Sequence, residues 1–198
     1  MMMNSKNKQP PWPIESRQSH HVYMQCIDSL IKEKKYTKGA ELGVKSGRST
    51  VALLHHNPKL HMIAVDLWSP HSTIVEKQHD HDKDFKTCLK FIKRFNVEDR
   101  VTIIRKLTTE ACYDVENESL DFIYIDATHT AEAITSDLKA WIPKVKSSGA
   151  ICGHDYAPRF GIIPIIDSLG TREKGYIDEG KTPSWWILKK DINSKWLL

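Results

Sequence analysis

The sequence of 198 residues has no long apolar run and few cysteines. No stretch approaches the roughly 20 apolar residues that a membrane-spanning helix needs, and the first residues lack the apolar segment of a secretory signal. The four cysteines lie far apart in apolar or amphipathic runs and form no CxxC pair, which favours reduced core cysteines over disulfides or a thiolate metal site. They are Cys26, Cys88, Cys112 and Cys152. We therefore expect a soluble, cytoplasmic protein.

Charge of one sign is not in clear excess either. The 29 lysine and arginine residues and the 25 aspartate and glutamate residues give a formal net charge of +4. This balance permits an acidic or nucleic-acid partner, but charged helix faces in contact with water explain it as well. Charge therefore does not identify the substrate.

Little in the sequence suggests a boundary between domains. Residues 1–15 are polar and contain Pro10, Pro11 and Pro13, which predicts a disordered N-terminal arm. The whole chain is 40% hydrophobic, and residues 16–198 have a suitable length for a single domain with one core.

Two phosphate-binding motifs are missing from the glycine-containing stretch GAELGVKSGRST at residues 39–50. A GxGxxG motif that started at Gly43 would need glycine where Lys45 and Arg48 stand, and no Gly-Lys-Ser/Thr sequence follows. The stretch instead predicts a strand that ends at Glu41, a loop with Gly43 and Gly47, and a helix. In an open α/β sheet such a junction lies at the carboxyl edge, where a ligand can approach the backbone and the helix N–H groups. We expect a small polar ligand there.

Strands and helices are predicted to alternate along the rest of the chain. Further apolar runs predict strands within 61–68, 101–105, 120–126, 149–156 and 184–189, and helical spacing of apolar residues predicts helices within 16–35, 85–95, 131–141 and 161–169. This alternation favours a Rossmann-like, doubly wound α/β fold, with a mostly parallel sheet and helices on both faces.

Carboxylates stand at the ends of four of the predicted strands. They are Glu41, Asp66, Asp126 and Asp155. Because the carboxyl ends of parallel strands share one edge, we expect all four to line one crevice near the point where the strand order reverses.

The polar stretch from Ser69 to Asp84 is a candidate lid over this edge of the sheet. It contains His79-Asp-His-Asp82, whose side chains could bind a metal ion. Neighbouring side chains point in different directions on a helix, however. We therefore favour a solvent-exposed helix start over a metal site.

The ordered set of motifs resembles the class I S-adenosylmethionine-dependent methyltransferases. Within them the chain looks most like small-molecule O-methyltransferases of the catechol type and sugar-modifying enzymes of macrolide-type antibiotic pathways. The resemblance covers about residues 38–190 and is carried by AELGVKSGRS (40–49), VDLW (65–68), IDATH (125–129) and GAICGHDY (149–156). No Asp/Asn-Pro-Pro-Tyr segment follows the fourth strand, which by the same resemblance disfavours methylation of exocyclic amino groups of bases.

The resemblance implies S-adenosylmethionine as cofactor. This molecule has no pyrophosphate but carries a sulfonium, an ammonium and a ribose diol, for which carboxylates are suitable partners. The resemblance further implies that Asp66 accepts the ribose hydroxyls, that Leu67 or Trp68 packs near the adenine, and that Thr108 or Thr109 contacts the adenine. Plain core packing is the alternative for Trp68. The implied cofactor-binding residues are Glu41, Gly43, Lys45, Ser46, Gly47, Ser49, Asp66, Leu67, Trp68, Thr108, Thr109 and Asp126.

The resemblance also implies how the reaction is catalysed. Methyl transfer needs alignment of the nucleophile with the methyl group and removal of the proton of the nucleophile. Asp126 and Asp155 match two carboxylates that help to hold a divalent ion. His129 stands at the position of the catalytic base, for which an imidazole is suited at neutral pH. The alternative for His129 is a helix-start residue that is hydrogen-bonded to the backbone.

One departure from the family pattern concerns the metal ligands. The pattern has an amide or an acid after the strand-five carboxylate, where this chain has Tyr156. His154 could replace this ligand, but alternation along a strand would turn its side chain to the face opposite that of Asp155. Oxygen ligands from Asp126 and Asp155 favour a magnesium-like ion, so Mg²⁺ is the candidate metal. A structural role is the alternative for His154.

The predicted function is S-adenosylmethionine-dependent methyl transfer to a hydroxyl of a small metabolite or sugar. His129 is the predicted base, and Asp126 and Asp155 organise the substrate or a metal ion. Two alternatives stay open, namely an RNA methyltransferase and a non-catalytic adenosylmethionine-binding protein. The expected partner is a small-molecule methyl acceptor, and a homo-oligomer is left open.

Overall fold

The computed structural model describes residues 20–69, 80–158, 161–170 and 184–197. Six strands form one sheet: β1 (Lys38–Leu42), β2 (His61–Val65), β3 (Val101–Ile104), β4 (Leu120–Ile125), β5 (Val145–Gly153) and β6 (Trp185–Leu188). Their order across the sheet is β3-β2-β1-β4-β5-β6. The first five strands pair in parallel, and β6 pairs antiparallel with β5. The predicted α/β class and the mostly parallel sheet are confirmed.

Helices cover both faces of this sheet, as predicted. They are α1 (His20–Lys34), α2 (Arg48–His56), α3 (His81–Arg94), α4 (Thr108–Ala111), α5 (Ala131–Trp141) and α6 (Ile163–Asp167). One hydrophobic cluster contains side chains of α1, α2 and α3, and a second contains side chains of α4, α5 and α6. The last of these helices is shorter than the 161–169 pattern suggests.

The central strand β4 shows why the sheet needs cover on both sides. All six of its residues are buried. Phe122 and Tyr124 belong to one hydrophobic cluster, whereas Ile123 and Ile125 belong to the other. Alternate side chains of a strand point to opposite faces, so a strand with no polar face must lie between two layers of helices.

The strand order reverses between β1 and β4, which are neighbours in the sheet although two strands separate them in sequence. The chain therefore leaves these two strands toward opposite sides, and a crevice opens between their carboxyl ends. The loop from β1 to α2 and the loop from β4 to α5 form its two walls. This is the edge at which the sequence places the ligand.

Several sequence-based expectations concern the surroundings of the sheet. Asp80 caps α3, because its side chain accepts a hydrogen bond from the backbone N–H of Lys83, which confirms a helix start at this point. The four cysteines are free thiols. Within the described residues, no helix combines the length and the apolar character that crossing a membrane requires. The predicted arm at residues 1–15 and most of the candidate lid, residues 70–79 with His79, lie outside the described residues.

Candidate active site

The two loops at the crevice touch each other through Gly43 and Asp126. Gly43 has a positive φ of 89°, and a Cβ atom added there would lie 2.3 Å from the carbonyl oxygen of Asp126. The backbone N–H of Gly43 donates to Val65 at 2.9 Å, and that of Asp126 donates to Leu42 at 2.8 Å. Glycine is therefore required for the loop after β1 to lie against the loop after β4. The predicted cofactor-binding residues and the predicted catalytic residues thus meet along one backbone contact.

Glu41 lies beneath the β1–α2 loop and does not line the crevice, contrary to our expectation. The residue is fully buried, and its two carboxylate oxygens accept hydrogen bonds from the hydroxyls of Ser49 and Thr50. Burial raises the pKa of Glu41 to about 8, although the two hydroxyls act in the opposite direction. The reason for the inward position is the packing of α2 on β1, since the first turn of α2 presents two hydroxyls to the end of β1. Glu41 therefore fixes the shape of the loop from below.

Asp66 is at the crevice and organises the loop from the other side. One of its carboxylate oxygens accepts the backbone N–H of Lys45 at 2.8 Å, and the other accepts the backbone N–H of Trp68 at 2.8 Å. The side chain is only half-buried. A carboxylate has about four acceptor sites, so two backbone donors leave Asp66 able to accept further hydroxyl groups.

Trp68 packs in the core, which is the alternative role that the sequence left open for it. The residue is buried, its indole N–H donates to the carbonyl of Lys45 at 2.7 Å, and its ring packs on that of Phe85 from α3 at a centroid distance of 4.9 Å. The indole therefore supports the loop from within. Leu67, which is half-buried, is the more exposed of the two residues proposed to lie near the adenine.

The threonines after β3 differ in their surroundings. The hydroxyl of Thr108 donates to the buried carboxylate of Asp137 in α5, and its carbonyl accepts the indole N–H of Trp141 at 2.9 Å. Thr109 is exposed. The Thr108 side chain is thus hydrogen-bonded to α5, and Thr109 is the better candidate for a contact with a ligand.

His129 and Asp155 are brought together although 26 positions separate them in the sequence. Nε2 of His129 lies 3.1 Å from Oδ2 of Asp155, whose side chain is almost fully buried while that of His129 is 37% exposed. A carboxylate at this distance orients the imidazole and stabilises the imidazolium that forms when the ring takes up a proton. The pair has the geometry of a general base and the group that orients it.

His154 lies on the same side as Asp155, so the expectation that it would point to the opposite face is wrong. Nδ1 of His154 is 3.3 Å from Asp155 and 3.6 Å from Asp126. The physical reason is that β5 ends at Gly153 and Asp155 has a positive φ of 59°, so side-chain alternation no longer applies. Burial of the imidazole opposes protonation, but Asp126 and Asp155 outweigh it and raise the pKa of His154 to about 9.

Asp126, His154 and Asp155 form a group of potential metal ligands. One ligand atom from each lies within 4.8 Å of the others, and no second group of three or more such side chains occurs within the described part of the chain. Two carboxylates and one imidazole are a donor set that fits a divalent ion. The imidazole favours manganese or zinc over the magnesium that oxygen ligands alone would select.

Arg48 is a feature of the site that the sequence-based assignment of cofactor ligands missed. Its Nε atom is buried and has no hydrogen-bond partner. All other buried side-chain nitrogen and oxygen atoms of the described residues have one. The sequence feature that could have pointed to Arg48 is its position directly after Gly47, where it is the first residue of α2. One buried nitrogen of the Arg48 side chain, at the start of the helix that follows the glycine loop, thus lacks a partner within the described residues.

The fold and this site define a doubly wound α/β protein with a ligand crevice at the reversal of strand order. A family model described as a methyltransferase domain matches residues 40–156, which include both walls of the crevice and more than half of the chain. The chain therefore belongs to this methyltransferase-domain family.

One curated protein of uncharacterized role is similar to a part of this chain. Protein y4gI of Sinorhizobium fredii, strain NBRC 101917 / NGR234, is 33% identical over 63 residues, which are 30% of this chain but only 7% of the length of that relative.

Solved structures extend the similarity to most of the chain. An SAH-bound methyltransferase from Podospora anserina has a TM-score of 0.60 at 17% identity, over 83% of this chain and 76% of that chain. Cofactor-bound Rv0187 from MTB has a TM-score of 0.61 at 14% identity, over 93% and 84% of the two chains. An O-methyltransferase family protein from Burkholderia thailandensis has a TM-score of 0.58 at 12% identity, over 83% and 55%. At these identities the similarity shows the shared fold.

Proposed function

We propose that this protein transfers the methyl group of S-adenosylmethionine to a hydroxyl group of a small metabolite or sugar. The observation that carries the proposal is the contact between Gly43 and Asp126, which joins the glycine loop to the loop that bears the candidate base. Membership of the methyltransferase-domain family and the SAH-bound and cofactor-bound structural neighbours support the same cofactor.

The cofactor would lie along the loop after β1. When bound, S-adenosylmethionine supplies an electrophilic methyl group on a sulfonium. Asp66 is half-buried at the end of β2 and retains acceptor capacity for the ribose hydroxyls, while Leu67 and Thr109 are the more exposed residues proposed to lie beside the adenine. Glu41 and Trp68 would act indirectly, because both hold the loop from its buried side. The other proposed loop contacts are Gly43, Lys45, Ser46, Gly47 and Ser49.

His129 would remove the proton of the acceptor hydroxyl. It is the more exposed of the two histidines at the crevice, with a side chain 37% exposed against 17% for His154. Asp155, 3.1 Å from Nε2, would orient the ring and stabilise its positive charge after proton uptake. Oxygen nucleophiles need this deprotonation before they attack a methyl group, and a positioned base contributes typically a factor of about 10²–10⁴ to such a reaction.

Asp126, His154 and Asp155 would hold a divalent ion near the acceptor. When bound, such an ion supplies positive charge that favours the ionised form of a hydroxyl. Among the candidates, Mn²⁺ or Zn²⁺ suits a donor set with an imidazole better than Mg²⁺ does. The two carboxylates, Asp126 and Asp155, would otherwise serve the acceptor directly, because they can accept its hydroxyl groups.

Calorimetric titration with S-adenosylmethionine, and with NAD as a control, tests the proposal at its first step. We expect one cofactor molecule to bind per chain and NAD to give no heat. A transfer assay with methyl-labelled cofactor and a set of catechols and sugars then tests the acceptor class. Absence of heat with S-adenosylmethionine would overturn the proposal, and transfer to RNA with a steep salt dependence would replace the small acceptor by a nucleic acid.

A further inference from the structure

A cavity of about 550 Å³ lies at the amino edge of the sheet, where β1, β2 and β3 begin. Its lining includes Lys38, the first residue of β1, and Val101, the first residue of β3. The crevice of the candidate active site lies at the carboxyl ends of the strands, so the two are at opposite edges of the sheet. The volume is within the range of about 300–1,000 Å³ that is usual for small-molecule sites. We call this space the amino-edge cavity.

The helices leave this corner of the sheet partly uncovered. β3 is the edge strand, and the chain after it forms only the four-residue helix α4 and one 3₁₀ turn before β4. Ile63 and Thr102 are register neighbours on β2 and β3, and both line the cavity. Thr102 is exposed and Ile63 is half-buried. The cavity therefore offers a ligand an apolar surface beside polar groups.

Positive charge dominates the lining of the amino-edge cavity. Lys38, Lys59 and Arg100 line it, and Asp99 is the one carboxylate among the described lining residues. Both lysines are exposed, and within the described part of the chain neither side chain takes part in an ion pair. Cations grouped in a concave space raise the local concentration of anions. The lining is therefore suited to a negatively charged ligand.

Asp121 lies beside the start of β1, but its charge is balanced by another residue. Its carboxylate accepts the backbone N–H groups of Thr37 at 2.7 Å and Lys38 at 2.9 Å. It also forms an ion pair with Lys146 at 2.7 Å. The positive charges of the lining lysines are thus left for a group that comes from outside the described chain.

Arg100 supplies a cation in a fixed position. Its Nη1 donates to the carbonyl oxygens of Leu54, Asn57 and Leu60 at 2.9, 3.1 and 3.2 Å, which lie at the C-terminal end of α2 and in the loop after it. Its Nε and Nη2 form no hydrogen bond with the described residues. A guanidinium that is held through one nitrogen keeps its other N–H groups for a bidentate contact, and phosphate is an anion that suits this geometry.

We propose that the amino-edge cavity is a second ligand site, for a small molecule that carries a phosphate group beside an apolar part. Lys38, Lys59 and Arg100 bind the phosphate group, and Ile63 contacts the apolar part. Three cations against one carboxylate leave a surplus of two positive charges, which a phosphate dianion neutralises. The site goes beyond the proposed function, since none of these residues belongs to the crevice.

Phenyl phosphate is a suitable probe, and its affinity is measured by calorimetry at low ionic strength, where screening is weak. The wild type should bind it more tightly than inorganic phosphate, because the ring adds apolar contact. The double variant Lys38→Gln/Lys59→Gln should bind it about fivefold to tenfold more weakly, as expected for two exposed charge contacts. Arg100 is left unchanged because it also supports the end of α2.

The matched control is Lys86→Gln/Lys90→Gln, which changes the net charge by the same amount. Both lysines are exposed residues of α3 and do not line the cavity. This control should bind phenyl phosphate as the wild type does. Equal losses in the two double variants would show that overall charge attracts the probe, and would overturn the site. Equal affinities of the wild type for phenyl phosphate and inorganic phosphate would overturn the apolar part of the proposal.

A competition experiment separates this site from the crevice. S-adenosylmethionine should not displace phenyl phosphate, and displacement would place the probe in the crevice and overturn the inference. Wild-type protein that does not bind phenyl phosphate would overturn it as well, and leave the proposed function intact. Protein that binds phenyl phosphate through the two lysines but does not bind S-adenosylmethionine would support the second site and overturn the proposed function.

Discussion

Gly43 lies so close to Asp126 that a Cβ atom at residue 43 would be 2.3 Å from the carbonyl oxygen of residue 126. The atom that blocks the space belongs to the backbone, so a rotamer change cannot relieve the contact. The glycine loop and the loop of the candidate catalytic groups are therefore fixed relative to each other. A ligand bound to the glycine loop is therefore held at a defined distance from the candidate catalytic groups.

Replacing Gly43 by alanine should weaken both folding and cofactor binding. The positive φ of 89° costs on the order of 1–3 kcal/mol for a residue with a side chain, and the backbone contact adds to this cost. We expect a fall in Tm of several degrees, at about 2–4 °C per kcal/mol for a chain of this size, and at least a tenfold (~1.4 kcal/mol) loss of affinity for S-adenosylmethionine.

The matched control for this change is Gly161→Ala. Gly161 also has a positive φ, 67°, but nothing lies within 4 Å of the added atom. It should show only the conformational cost and should bind the cofactor normally. Equal effects of the two substitutions on cofactor binding would contradict the role given to the contact between Gly43 and Asp126.

Replacing His129 by asparagine should slow methyl transfer without weakening cofactor binding. A positioned general base contributes a factor of about 10²–10⁴, and the substitution removes the ring that Asp155 orients at 3.1 Å. Single-turnover rates with labelled cofactor measure the first effect, and calorimetry measures the second. His61→Gln is a suitable control, because His61 is an exposed residue at the opposite end of β2. Wild-type turnover in His129→Asn would show that another group takes the proton.

Replacing Glu41 by glutamine should change how the free energy of unfolding depends on pH. Burial raises the pKa of Glu41 from 4.5 to about 8. Between these values the folded protein binds more protons at this site than the unfolded chain does, so its stability falls as the pH rises. The slope is at most about 1.4 kcal/mol per pH unit for one group.

The comparison of the two proteins isolates Glu41 from other groups that titrate in the same direction. The pKa of Asp137 is raised by burial to about 6, and Asp126 and Asp155, against the effect of burial, raise that of His154 to about 9. Both contributions remain in Glu41→Gln. The free energy of unfolding of both proteins is measured with denaturant at pH 5 to 8. As the pH rises, the stability of the wild type should fall relative to that of Glu41→Gln. A difference that is constant over this range would mean that Glu41 ionises normally.

Replacing His154 by alanine should remove selectivity for a transition-metal ion. Equilibrium dialysis of the wild-type protein should show tighter binding of Mn²⁺ or Zn²⁺ than of Mg²⁺, because the ligand group contains an imidazole. In His154→Ala we expect at least about a tenfold loss of Mn²⁺ or Zn²⁺ affinity and a smaller change for Mg²⁺. His61→Ala serves as control. Unchanged Mn²⁺ and Zn²⁺ affinities in His154→Ala would exclude His154 as a ligand.

The sequence by itself determined the order of strands and helices and the edge at which the site lies. These properties are local, because the apolar run of Leu120–Ile125 requires cover on both faces and the glycines of the loop after β1 permit a turn that other residues resist. The presence of Asp66, Asp126 and Asp155 at one edge follows from the parallel direction of their strands. None of this needs knowledge of distant contacts.

Only the tertiary structure decided which way the side chains at this edge face. Glu41 turns inward because the hydroxyls of Ser49 and Thr50 reach it. His154 joins Asp126 because its strand stops at Gly153. The direction of His154 beyond the end of β5, and the hydrogen-bond partners of Glu41 within β1, depend on contacts with other segments, which periodicity does not encode. The same reason explains why the unpartnered Nε of Arg48 became visible only in the folded chain.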